Sequence, residues 1–201
     1  MAVRRRLLAL PFVLFACGAP AAKSPSAGAA SLHASKIDPP PHVALQMACM
    51  PTGPELCFNA IDDNCNGVID EGCGVGTGVL QFTIAWKEET ADVNLSVTDP
   101  SGAVVDAKQR ASRSGLRLDR DCPGTTESCG GQNTENVFFE GLEPPRGHYK
   151  VDVTLVDPHG APPPIVVHFS ARIGSQTHSA DVSLAPGDGE SGQKKSFGYD
   201  L

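Results

Sequence analysis

From Val79 onward, apolar and polar residues alternate with period two. Leu80, Phe82, Ile84 and Trp86 share one side of an extended segment, and Gln81, Thr83, Ala85 and Lys87 take the other. Val93, Leu95 and Val97 alternate with Asn94, Ser96 and Thr98, and Asp99-Pro-Ser-Gly102 reads as a turn. Short strands are expected at Leu116–Leu118 and Val137–Phe139. A longer one alternates Tyr149, Val151, Val153 and Leu155 with Lys150, Asp152 and Thr154. Pro158 to Pro164 breaks the chain, Ile165 to Arg172 resumes it, Val182 and Leu184 mark another strand, and Phe197, Tyr199 and Leu201 close the set. About eight short strands, regular turn signals and no amphipathic helical period predict an all-β fold. The expected architecture is a β-sandwich, Ig- or jelly-roll-like, over 76–201.

The N-terminal part lacks this alternation. Residues 45–75 form a Cys-rich module with Cys49, Cys57, Cys65 and Cys73 every eighth residue, and a Gly-rich hinge (72–78) follows. The module is too short to own a core, so disulfides and a metal would have to hold it. Residues 17–44, rich in Ala, Ser and Pro, bury too little apolar surface to offset their ordering entropy and read as a disordered tether.

Residues 1–16 read as a signal peptide. Arg4, Arg5 and Arg6 precede an apolar run from Leu7 to Ala16, too short for a membrane span. Leu14-Phe-Ala-Cys17 resembles a bacterial lipobox, with Phe15 departing from the small or β-branched residue preferred there. That resemblance implies a lipidated Cys17 at the mature N-terminus, membrane attachment, and an exported, cell-envelope and outer-membrane location. Ordinary signal cleavage is the alternative. Setting Cys17 aside leaves six Cys, an even number that reads as disulfides in an exported chain. Cys122 and Cys129 are close enough to pair. Cys49, Cys57, Cys65 and Cys73 would pair among themselves in an order that spacing does not choose. The net charge is −7 and would become −10 after loss of the three arginines, which argues against nucleic acid and suits cation binding.

The densest chemistry lies in Asp62-Asp-Asn-Cys-Asn-Gly-Val-Ile-Asp-Glu71. Asp62, Asn64, Asn66 and Asp70 fall at i, i+2, i+4 and i+8 around Gly67, with Glu71 adjacent and the Val68 carbonyl available. Alternate oxygens in a tight loop converge on one hard cation such as calcium. Ile69 can pin the loop to its neighbour. This much follows an EF-hand loop, but Cys73 stands where that loop has its bidentate Glu. With two Asn for Asp, affinity should fall in the range of about 10⁻⁴–10⁻³ M. The stretch resembles the bacterial MopE-type metal-binding motif through Glu55, Cys57, Asp62, Asp63, Cys65, Gly67, Asp70 and Glu71, while Phe58, Asn59 and Ala60 depart from it. The resemblance implies metal binding and no reaction.

Trp86, Asp92-Val-Asn-Leu95, Asp99-Pro-Ser-Gly102, Leu118-Asp-Arg-Asp121, Glu135-Asn-Val137 and Gly147-His-Tyr149 occur in that order. Together they resemble an uncharacterised family of bacterial β-sandwich domains, with Asn94 and Thr134 as departures. Asp92 and Asn94 should share a strand face, as should Asp119 and Asp121. With Glu135 nearby, these five oxygens would converge on a second calcium site.

Nucleophile-elbow, zincin and P-loop patterns are absent, and the six His lack ligand spacing. The expected function is therefore non-enzymatic: a lipid-anchored envelope protein with a structural calcium loop and a sandwich for binding or adhesion to a protein or polysaccharide. The alternative is a carbohydrate-binding or accessory module of a secreted enzyme system. A hydrolase would need a cleft gathering a nucleophile and a His.

Overall fold

The computed structural model describes residues 32–123, 129–186 and 193–201. The signal peptide, Cys17 and residues 17–31 of the expected tether lie outside them. Ten strands form two antiparallel five-stranded sheets. They are β1 (Lys36–Asp38), β2 (Leu80–Trp86), β3 (Asp92–Thr98), β4 (Val104–Val105), β5 (Leu116–Arg120), β6 (Thr134–Phe139), β7 (His148–Asp157), β8 (Ile165–Ile173), β9 (Gln176–Leu184) and β10 (Lys194–Asp200). The first sheet runs β1-β10-β7-β3-β4 and the second β5-β6-β2-β8-β9.

The expected alternation carries the core. Leu80, Phe82, Ile84, Val93, Leu95, Val97, Val151, Val153, Phe169 and Val182 are all fully buried between the sheets. Each such side chain contributes about 1.5–3 kcal/mol relative to exposure. Aromatic rings bridge the layers: Phe169 stacks on Phe197 at 4.1 Å and Phe82 tilts against Tyr199 at 5.5 Å. Trp86 is core, its indole Nε1 donating to the Ala91 carbonyl at 3.0 Å. Tyr149 donates its hydroxyl to the Pro145 carbonyl at 2.8 Å, closing a tyrosine corner.

Three features depart from expectation. The described part of the tether (32–44) is ordered: Leu32 is buried and β1 pairs with β10. Beyond β1 the chain crosses to the other sheet, where Gln46 and Ser179 exchange backbone hydrogen bonds. Short apolar insertions such as Leu32 and Ile37 were enough to dock it. The strands among the described residues number ten, because β1 and the two-residue β4 carry too few residues for a period to show. Finally, β9 begins at Gln176. Gly174 and Ser175 make a two-residue turn between β8 and β9 that no Asn-Gly or Asp-Gly signal announces.

Candidate functional site

The Cys-rich module is not a separate bead on a hinge. It lies against the outer face of the second sheet, over the side chains expected to face solvent. Gln81, Thr83 and Asn136 are all buried there. Gln81 Nε2 donates to the Ile69 carbonyl at 3.1 Å, Thr134 Oγ1 to the Phe58 carbonyl at 3.0 Å, and Asn136 Nδ2 to the Gly76 carbonyl at 2.8 Å. Arg120 lies 4.2 Å over the Phe58 ring.

Inside the module the disulfides are Cys49–Cys65 and Cys57–Cys73, and Cys122–Cys129 closes the third pair. The first two interlock, first Cys with third and second with fourth, each spanning 16 residues. Four non-glycine residues, Phe58, Ala60, Cys65 and Asp70, take left-handed backbone angles. Each costs on the order of 1–3 kcal/mol and persists only where its surroundings enforce it. The carboxylates do the enforcing. Asp70, fully buried, accepts the Asn59 N–H at 3.3 Å and the Ala60 N–H at 3.1 Å. Glu55 accepts the Asp70 N–H at 2.8 Å and the Asp63 N–H at 3.1 Å. Asp63 accepts from Thr52 Oγ1 at 2.7 Å and Asn59 Nδ2 at 2.9 Å.

The loop itself wraps around Asp62, whose oxygens accept the Asn66 N–H at 3.0 Å and the Gly67 N–H at 2.9 Å. Thr177 Oγ1 on β9 reaches the same carboxylate at 3.3 Å. Gly67 has φ +83°, and a Cβ there would stand 2.9 Å from the Ser175 carbonyl oxygen, so glycine is required twice over. Asn64 and Asn66 aim their amide nitrogens at one atom, Glu71 Oε1, the first at 2.6 Å. Glu71 Oε2 is buried with no partner. The loop thus brings Asn64, Asn66 and Glu71 together through amide nitrogens, while the Asn64 and Asn66 Oδ1 atoms accept the Asn66 and Val68 N–H groups. Asp70 turns away and closes the 58–60 turn. Among the described residues, no three His, Cys, Asp or Glu side chains stand as a ready-made metal cluster.

The charge balance here is one-sided. Residues 45–75 carry Glu55, Asp62, Asp63, Asp70 and Glu71 and no Lys, Arg or His. Burial, reinforced by Glu71, pushes the Glu55 carboxyl up to about 7. Burial also raises Asp70 against the N–H groups that pull it down. Asp63 goes the other way: burial opposes, but hydrogen bonds from Asn59, Thr52 and the Leu56 N–H hold it below the usual carboxylate range. The sandwich supplies a distant counter-charge in Arg172, which feels both Asp62 and Glu71. Glu55 and Arg172 were not expected in this role. The absence of any basic residue from 45–75 was the available signal for such a deficit.

The five oxygens expected at a second site separate. A register shift between Leu118 and Arg120 leaves Asp119 bulged outward, toward the Gly76 N–H and Asn136 Nδ2, the latter at 2.7 Å. Asp121 lies on the inner side near Glu135, so Asp119 and Asp121 do not share a face. A second shift, between Asp92 and Val93, leaves Val156 of β7 unpaired, while Asp92 keeps the side of β3 that Asn94 takes, as the alternation predicts. Asn94 lies on the outer face with Ser96 and Thr154, lining a shallow depression. Asp92, Asp121 and Glu135 remain electrostatic neighbours.

A cleft of about 370 Å³ between the module and β8–β9 holds His168, Ser170, Thr177 and Asp181. His168 Nδ1 lies 2.6 Å from Asp181 Oδ1, but its Nε2 is buried with no partner, so it engages no hydroxyl. Compared with known proteins, the chain matches no family model, no curated protein and no solved structure.

Proposed function

We propose that the chain is an exported, lipid-anchored envelope protein. Its Cys-rich module is a calcium-dependent clip fastened to a β-sandwich that carries a binding or adhesion surface. One observation carries the metal assignment: five carboxylates crowd a module without a basic residue, and the buried Glu71 Oε2 has no partner. A hard divalent cation answers both. Asp62, Asn64, Asn66 and Glu71 would hold it, with the Val68 carbonyl, all oxygen donors of the kind calcium prefers. It would supply positive charge where the module itself has only amide N–H groups to offer. The resemblance to the MopE-type motif supports the same reading, and the disulfides suit an exported protein.

The accessory reading needs an aromatic platform for sugar rings. The exposed large apolar side chains among the described residues are Met47, Met50, Leu56, Ile61, Val104, Leu142, Val156 and Val166, none of them aromatic. The binding reading is therefore preferred.

Calorimetric titration of the mature protein with calcium, beside Asp62→Asn and Glu71→Gln, tests the clip. Weak binding that raises the Tm, and that either variant reduces, is expected. A calcium response unchanged by both variants overturns it. Cys17→Ser tests the anchor separately: the variant should leave the membrane fraction, and unchanged fractionation would refute lipidation.

A further inference from the structure

β1 stops short of β10. Lys36, Ile37 and Asp38 pair with Asp200, Tyr199 and Gly198, but β10 begins at Lys194. The sequence ends β1, because Pro39, Pro40 and Pro41 have no N–H to extend the ladder. Pro40 is buried, His42 takes a left-handed backbone angle (φ +63°), and the Val43 N–H closes a turn on the Pro40 carbonyl at 3.2 Å. The chain thus swings off the sheet, and the part of β10 before Gly198 is left as an edge.

Antiparallel pairing decides which groups that edge presents. Leu201 exchanges both backbone bonds with Gly147, just before β7, so Leu201, Tyr199 and Phe197 direct their N–H and C=O groups at β7. The alternate residues Asp200, Gly198 and Ser196 direct theirs at the β1 side, where the Asp200 carbonyl accepts the Ser35 N–H at 2.7 Å. Among the described residues no strand lies on that side of Ser196.

A groove of about 650 Å³ runs along this edge, within the range of roughly 300–1,000 Å³ usual for ligand sites. Pro39, Pro40 and Pro41 wall it on one side, and Ser196 lines the other. Its floor is low at Gly198, where a Cβ would stand 3.0 Å from His148 Cε1. Lys150, Lys194 and Lys195 line it with His42 and His148, against one carboxylate, Asp38. Asp38 is already held by Lys36 Nζ at 2.6 Å. Lys150 and His148 are steadied from outside the groove, by Asp152 at 2.8 Å and Asp200 at 2.6 Å. Three of the chain's seven lysines thus gather in one place on a protein of net charge −7.

We infer that β10 takes an acidic, extended segment of a partner protein as an added strand at Ser196, where β1 would otherwise continue. Strand addition uses backbone donors and acceptors for affinity, and the lysines select acidic side chains. Lysine and proline also guard an edge against unwanted pairing, but a guard needs no groove beside it. An anionic sugar would meet the lysines and has no N–H and C=O repeat to match Ser196. The inference gives the binding surface of the proposed function a place and a partner class, and rests on that reading for the existence of a partner. Neither the calcium loop nor the lipid anchor enters.

Fluorescence anisotropy of a labelled Glu-rich peptide of about six residues, titrated with the mature protein in chelator, tests this. The peptide should bind, and its Gln counterpart should bind about tenfold more weakly or worse. N-methylation of the alternate amides that face β10 should abolish binding while keeping every charge. Ser196→Pro and Ser196→Ala both lose the hydroxyl bond to Asp152, but only Pro loses the N–H on the open side, a change that a strand edge tolerates. Ser196→Pro should weaken binding about tenfold and Ser196→Ala should not. Lys150→Gln with Lys194→Gln should weaken it as much as Ser196→Pro. A Glu-rich peptide that does not bind overturns the proposal, as does equal binding of its N-methylated form or of oligogalacturonate. A dimer in sedimentation that excludes the peptide gives the edge to a second copy and overturns it too. Because the assay runs in chelator, its failure leaves the calcium response and membrane fractionation to judge the proposed function separately.

Discussion

Thr177 donates its hydroxyl to Asp62 across 115 residues of sequence, Oγ1 to Oδ2 at 3.3 Å. That bond joins the β9 strand of the sandwich to the first residue of the acidic loop. It makes the loop and the sheet one mechanical unit, with Gly67 pressed on the Ser175 carbonyl beside it.

Thr177→Val should therefore loosen the module while leaving the sandwich core untouched. A loss of about 1.5–3 kcal/mol is expected for a hydrogen bond to a charged group. Urea unfolding of both proteins measures it. Limited proteolysis should show faster cutting between residues 50 and 75 in the variant.

Gln81 makes a stricter test of the same seat. Its Nε2 reaches the Ile69 carbonyl, Thr83 and Asn136, all buried. Gln81→Leu orphans the Ile69 carbonyl, while Asn136 Oδ1 keeps the Thr83 hydroxyl at 2.8 Å, and should cost about 1–3 kcal/mol. A variant as stable as wild type in urea would mean that the module does not rest on this ridge.

Asn66→Asp separates affinity from stability. The Asn66 amide now donates to Glu71 Oε1. A carboxylate there adds a ligand charge for calcium but repels Glu71 without it. Calcium should bind about tenfold more tightly, worth about 1.4 kcal/mol. The Tm in chelator should fall. Titration calorimetry and thermal melts with and without calcium read the two effects.

His178 should give stability a pH dependence. It is buried on the inner face of β9 with Nδ1 unpartnered, and burial lowers its pKa from 6.5. As pH falls, the unfolded chain takes up the proton first. The contribution is thus complete above about 6.5 and is lost as pH drops through the lower, folded value. Thermal melts from pH 8 to 5 should show a decline that is flatter in His178→Leu.

Much of the sandwich was legible because period two is a strong signal when one face is buried. Val93, Leu95 and Val97 needed no further information. Gln81 and Thr83 misled for the same reason: they are polar, so alternation assigned them to solvent, while a module from another stretch of chain covers them. Asp119 and Asp121 failed by geometry. One bulged residue reverses every facing after it, and nothing in Leu118-Asp-Arg-Asp121 marks the bulge. Asn64 and Asn66 do meet Glu71, since their spacing is local, but through their amide nitrogens. Asp70 did not follow, because its fate depended on the left-handed turn at 58–60. Cysteine spacing named the four partners of the module but not their pairing, which only the folded path decides.

The short β1 has a consequence under load. The segment from Leu32 runs along β10, then crosses to β9 at Gln46, lacing together the edges of both sheets. A pull arriving from the N-terminal side meets Leu32, buried against the core, and then this lacing. Three paired residues are a weak seam, so the strap peels first, paying out roughly 45 Å of chain over residues 32–44. The sandwich stays shut while the slack absorbs the jerk, and the strap can zip back when tension falls.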